Sequence, residues 1–181
     1  MTRATPEQPW SAPLAVSDVP ETGRSVALAA DERTRAAIAE VAGLRSLPRL
    51  EATFDVALHG RDGLHVTGRV TATVGQSCVV TLEPIESEVV EDIDLVLAPA
   101  AAPVIVEEDG GKVEIAAVDA PEPLSGGTVD LGAIATEFLI LGINPYPRKP
   151  GVVFEPPAAG ADTDGPFAAL KALRKTPGGP R

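Results

Sequence analysis

Cys78, in the run QSCVVTLEPI at residues 76–85, is the single cysteine of the chain, and a thiol placed just ahead of a turn suits nucleophilic, redox or metal chemistry. A Cys-x-x-Cys pair would put its second thiol three residues on, where Thr81 stands. A catalytic thiol needs a nearby base, and the two histidines, His59 and His65, lie in the hairpin that precedes it. An inert, half-buried side chain is the plainest reading of Cys78, with a reactive thiol and a partner-shared site as alternatives. One cysteine excludes an intramolecular disulfide framework and a Cys-based structural zinc site within one chain, so no metal and no cofactor is expected.

Glu86, Glu88, Glu91, Asp92 and Asp94 offer carboxylates for acid-base or hard-metal work. On a strand, however, Glu86, Glu88, Asp92 and Asp94 share one face, opposite Ile85, Ser87, Val89, Ile93 and Leu95, which is the pattern of a solvated sheet face. No P-loop, Gly-x-Ser-x-Gly, His-Glu-x-x-His or dinucleotide fingerprint is present, and an enzyme is not expected. Two other stretches suit docking. In NPYPRKPG, Tyr146, Arg148 and Lys149 stand in a proline-framed turn that presents an aromatic and two cations at little ordering cost. In GPFAALKALRK, Phe167, Leu170 and Leu173 recur at helical spacing beside Lys171, Arg174 and Lys175, as in a short basic amphipathic helix over residues 165–175.

The bulk numbers narrow the partners. The 181 residues suit one domain plus tails, and aromatics at 3% leave a core of Val, Leu, Ile and Ala with no base-stacking platform. Net charge is -11 and unevenly spread: residues 1–74 hold 8 basic and 9 acidic groups, residues 75–147 hold 1 and 14, and residues 148–181 hold 6 and 3. That balance argues against non-specific binding to nucleic acid or anionic membrane. It reads as a solvated, repulsive surface, or as an acidic face that meets a basic partner. No long apolar run and no signal-peptide core stand out, so a cytoplasmic protein is expected.

The positioning elements follow from periodicity. SAPLAVSDVP and GRSVALAA read as a first hairpin, followed by a helix capped by Asp31, with Ala36, Ala37, Ile38, Val41 and Ala42 on its apolar face and Gly43 at its end. Leu50, Ala52, Phe54, Val56 and Leu58 alternate with polar residues, as do Leu64, Val66, Gly68, Val70, Ala72 and Val74 after HGRDG, giving a long antiparallel hairpin with one buried face. A further strand pair is expected around Glu83-Pro84, and a small hairpin about Asp109-Gly110-Gly111. Asp130 caps a second helix whose stripe is Leu131, Ile134, Ala135, Phe138, Leu139 and Leu141. The fold expected is α+β: a mainly antiparallel, curled, barrel-like sheet with a few packed helices and a flexible C-terminal tail. The organisation expected is a flexible 1–10, one domain over 11–150, a linker over 151–164, the helix over 165–175 and a disordered 176–181.

In this order VTGRVTATVGQSC, LEPIESEVVEDIDLVLAP, the acidic loop, VDLGAIATEFLILGINPYPRKPG and GPFAALKALRK resemble the YceD family of large ribosomal RNA subunit accumulation proteins, in its alphaproteobacterial form, over roughly residues 10–175. Many members of that family carry Cys-x-x-Cys at the strand turn and a further cysteine after the proline-rich segment. Cys78 matches the first, Thr81 replaces the second and no cysteine follows Pro147, so the resemblance makes Cys78 an unpaired remnant in a corner held by Leu82, Pro84 and hydrogen bonds. The resemblance implies a non-enzymatic factor for large-subunit ribosomal RNA accumulation, acting in ribosome assembly or RNA processing. Its partner would be a ribosomal or rRNA-processing protein, with pre-ribosomal RNA met indirectly and no membrane contact. The alternative is a small-ligand or lipid-binding barrel with an apolar interior.

Overall fold

The period-two alternation of the middle of the chain becomes three long strands, and the rest of the fold is arranged around them. In chain order the computed structural model contains β1 (Pro13–Ala15), β2 (Arg24–Ala29), α1 (Glu32–Val41), β3 (Ser46–His59), β4 (Gly63–Ser77), β5 (Pro84–Ala98), β6 (Val104–Glu108), β7 (Gly111–Ile115), β8 (Glu122–Pro123), β9 (Thr128–Asp130) and α2 (Leu131–Gly142). It describes residues 9–99, 104–108, 111–115 and 121–154. Contacts divide the chain into Met1–Lys149 and Pro150–Arg181; of the second unit residues 150–154 are described, an irregular stretch with Gly151 at φ 78°.

The main sheet has the order β2-β3-β4-β5-β8, antiparallel throughout except for the short parallel pairing of β8 with β5. β6 and β7 pair as a separate hairpin, as the Asp109-Gly110-Gly111 turn signal predicts. The α+β class stands, but the barrel does not: the sheet is open, with β2 and β8 as unpaired edges among the described residues. The expected first hairpin is also corrected. β2 pairs with β3, while β1 crosses the molecule to pair with β9, because Asp130 takes hold of the β1 segment with its carboxylate. The expected strand pair around Glu83-Pro84 is one long strand, β5, paired with β4 across the turn at Cys78–Glu83.

One face of the sheet is core. Leu50, Ala52, Phe54 and Val56 are buried opposite Ala72, Val70, Gly68 and Val66, and Val89, Ile93 and Leu97 continue the layer on β5. Phe54 lies against Gly68, where a Cβ would come within 3.0 Å of the ring, so the glycine makes room for the one large side chain of that layer. The helices cover this face. Asp31 caps α1 through the Thr34 amide, and Ile38 and Ala39 are its buried residues. α2 buries Leu131, Ile134, Ala135 and Leu139 and approaches β5 so closely at Gly142 that a Cβ there would stand 2.7 Å from Val89 Cγ1. The apolar stripes are narrower than the sequence suggests. Ala36 and Val41 of α1 and Leu141 of α2 are exposed, since at about 100° per residue these positions rotate past the arc that the sheet covers.

Candidate functional site

Two loops meet at the end of the long strands. The turn from Ser77 to Glu83 closes on itself through Cys78 N–H to the Glu83 carbonyl (2.9 Å) and Leu82 N–H to the Cys78 carbonyl (2.9 Å). The segment after α2 docks against it by three bonds: Gln76 Nε2 to the Asn144 carbonyl (3.0 Å), Val79 N–H to the Pro147 carbonyl (2.9 Å) and Lys149 N–H to Cys78 Sγ (3.4 Å). Lys149 Nζ closes the junction on Glu83 Oε2 at 2.9 Å. Gln76 Oε1 is buried without a partner, a small cost of bringing the two loops together.

Electrostatics favour charge on both sides of this junction. The Lys149 ammonium beside Glu83 holds the carboxyl below its usual range, helped by the Thr81 hydroxyl, and Glu83 in return raises the Lys149 pKa. Cys78 is buried, yet its thiol pKa is lowered to about 6, first by hydrogen bonding from the Thr81 side chain and then by the Lys149 amide, which lies 3.4 Å from Sγ. The corner is therefore held by hydrogen bonds and one ion pair. Leu82 and Pro84, expected to hold it, are exposed, and Leu82 stands at φ 62° with 75% of its surface in solvent.

This donor set does not fit a metal. Among the described residues no three His, Cys, Asp or Glu side chains gather here, and Glu83, the carboxylate of this corner, is paired with Lys149. Neither histidine stands near the thiol. His65 lies near the start of β4 and Cys78 just past its end, roughly 40 Å apart along a strand that rises about 3.3 Å per residue. His65 instead pairs with Asp94 at 2.7 Å, and His59 is exposed at the far end of β3.

Of the residues picked from sequence, Tyr146, Arg148 and Lys149 come together at this corner. Tyr146 is 72% exposed, Arg148 is exposed with no ion pair among the described residues, and Lys149 is committed to Glu83. Phe167, Leu170, Lys171 and Arg174, with the expected helix at 165–175, the linker beyond residue 154 and the end at 176–181, lie outside the described residues. Sequence reading missed Glu83 as the partner of Lys149; the Glu-Pro at the strand start marked the turn, but nothing in the sequence paired it with a position 66 residues away.

The second feature is the open face of the sheet. Its outward rows carry Arg49, Thr73 and Glu88; Glu51, Thr71 and Val90; Thr53, Arg69 and Asp92; Asp55, Thr67 and Asp94. The cations are matched within the face, Arg49 to Glu88 (2.8 Å) and Glu51 (3.4 Å) and Arg69 to Asp92 (2.6 Å), and His65 Nε2 lies 2.7 Å from Asp94 Oδ1. Hydrogen bonds from Thr73 and Arg49 hold Glu88 below the usual carboxylate range, and Arg69 does the same for Asp92. The carboxylates on this face outnumber its cations and are exposed, and Asp55 also lines a shallow cleft of about 260 Å³ with Ser25, His65 and Thr67.

No helix among the described residues is long and apolar enough to cross a membrane. No curated protein and no solved structure matches the chain. The family model described as "Large ribosomal RNA subunit accumulation protein YceD" matches residues 66–174, more than half of the 181 residues, beginning inside β4 and taking in β5, α2 and both loops of the corner. The first 65 residues, with β2, α1 and β3, precede that span. On this match the chain belongs to the YceD family of large ribosomal RNA subunit accumulation proteins.

Proposed function

We propose that this chain is a non-enzymatic factor needed for accumulation of the large-subunit ribosomal RNA, and that it acts in ribosome assembly or rRNA processing by binding protein rather than bare RNA. Family membership supports a ribosome-related role. The contact with protein is supported by one observation above the others: an open sheet face on which Glu51, Asp55, Glu88, Asp92 and Asp94 outnumber Arg49 and Arg69, both already in ion pairs with them. Such a face repels phosphate and attracts the lysine- and arginine-rich surface of a ribosomal or processing protein. Tyr146 and Arg148, on the rigid corner, suit the edge of the same contact or a neighbouring stretch of RNA.

The carboxylates of β5 favour this docking role over acid-base chemistry, because they lie on an exposed face with their charge stabilised rather than in a water-excluded pocket. The experiment is affinity capture with the intact chain, and with a chain ending at Gly160, from cells fractionated by ribosome assembly state. Recovery of large-subunit precursors or their proteins by the intact chain is the expected result. Absence of ribosomal material with both chains would refute the function.

A further inference from the structure

On the helical side, away from the acidic face, a groove of about 340 Å³ runs along α2 and is lined by Pro9, Val41, Ala133, Thr136, Glu137, Ile140 and Leu141. Its apolar residues are strongly exposed: Val41 68%, Ile140 41% and Leu141 71%. These side chains are not needed by the core, which α2 serves through Leu131, Ile134, Ala135 and Leu139. Three large aliphatic residues standing in solvent on adjacent helices form the kind of patch that marks a binding surface.

The electrostatic frame of the groove selects its occupant. Val41 is the last residue of α1, and Ile140 and Leu141 lie in the last turn of α2, so the negative, carbonyl-bearing ends of both helices border one end of the groove, while Ala133 brings the first turn of α2 to the other. Neither helix has a basic residue in its last turn to offset that end. Among the described lining residues the ionisable side chain is Glu137, another negative charge, and Glu40 stands next to Val41. A second copy of this chain, at net charge -11, would bring like charge to an already negative rim.

We propose that this groove docks a basic amphipathic segment of a partner protein, with aliphatic side chains seated between Val41, Ile140 and Leu141 and Lys or Arg side chains set against Glu137 and the two helix ends. The inference rests on the reading that the chain works through protein contacts, and it adds a surface separate from the acidic sheet. The binding mode is a helix or extended segment laid in a groove, with affinity from the apolar floor and selectivity from the rim.

The test titrates the full chain with a synthetic helical peptide of Leu and Lys at helical spacing, and with its counterpart carrying Glu in place of Lys, while backbone amide resonances are followed. The Leu/Lys peptide should shift Val41, Glu137, Ile140 and Leu141, and the Leu/Glu peptide should not. Leu141→Lys and Val41→Lys, both at solvent-exposed positions, should each weaken binding roughly tenfold by losing an anchor and adding a like charge. Glu137→Gln should weaken it less and flatten its salt dependence. Equal binding of both peptides, shifts confined to Glu88, Asp92 and Asp94, or unchanged affinity in the Lys variants would overturn the proposal. So would self-association of the chain that Leu141→Lys abolishes, since a second copy would then be the occupant. The groove and the function fail separately: full ribosomal capture by the Leu141→Lys chain would remove the groove and spare the function.

Discussion

Cys78 shows how a residue type suggests one chemistry and its surroundings permit another. Burial alone would raise a thiol pKa, but hydrogen bonding from the Thr81 side chain and from the Lys149 amide, which stands 3.4 Å from the sulfur, outweighs that cost. Folding thus favours the thiolate, and the Lys149 ammonium, raised in pKa first by Glu83, is raised further by the charge on Cys78. Thiolate absorbance of the native chain should rise with a midpoint near pH 6, and in the unfolded chain near the free thiol value of about 8.5. Lys149→Pro, which removes one of the amide donors, and Thr81→Val, which removes the hydroxyl, should each move the native midpoint upward. Because the folded pKa is the lower one, the stability this group adds is complete above about pH 8.5 and fades as pH falls to about 6. Denaturant midpoints of the native chain and of Cys78→Ser should therefore converge over that window. A native midpoint at the free thiol value would mean that the donors do not reach the sulfur in solution.

Asp130 ties three elements together at the element scale. Its Oδ1 accepts from Gly132 and Ala133 at the start of α2 and from the Ala12 amide, and its Oδ2 accepts from the Ser11 hydroxyl, so one carboxylate caps the helix and anchors the approach to β1. Burial pushes its pKa up, but the Ala12, Ser11, Ala133 and Gly132 donors overcome it and leave the carboxyl below its ordinary value. Asp130→Ala should cost about 1–3 kcal/mol, a lost cap plus a freed strand, measured by urea unfolding near neutral pH. The difference from the native chain should begin to shrink as pH falls below about 4, where the unfolded chain takes up its proton, and be lost once the native carboxyl, held lower, is protonated too. Sequence alone gave the cap, because Asp before an apolar helical stripe is a local signal. It also gave the β3–β4 hairpin, since a single alternation fixes both face and register. It did not give the partner of β1 or of Lys149, as those pairings join positions 118 and 66 residues apart and carry no local pattern. The barrel was misread for a related reason: strand length and apolar alternation show that a sheet has a buried face, whereas closure depends on whether its edges meet.

At the scale of the whole molecule, the described residues present two faces of different character. The helical side keeps an apolar groove with a negative rim, while the open sheet face holds its few cations in ion pairs and leaves carboxylates in excess. Exposed pairs of this kind contribute at most about 1 kcal/mol each, so they are poor candidates for a purely stabilising role. On the proposed function their larger consequence is a field suited to a basic partner, and a field is sensitive to salt. Neutralising the strand with Glu88→Gln, Asp92→Asn and Asp94→Asn together should leave the thermal unfolding midpoint within a few degrees, because each lost pair is weak and solvent-exposed. Capture of ribosomal protein by the intact chain should decline as the Debye length contracts from about 10 Å at 0.1 M to about 3 Å at 1 M salt, and the neutralised chain should start lower and decline less. Nuclease treatment before capture separates the two possible counterparts: a basic protein stays bound to the acidic face when RNA is digested, whereas an RNA bridge is lost. Capture that ignores both salt and the triple neutralisation would move the contact off the sheet and onto the corner of Tyr146 and Arg148 or the groove of α2.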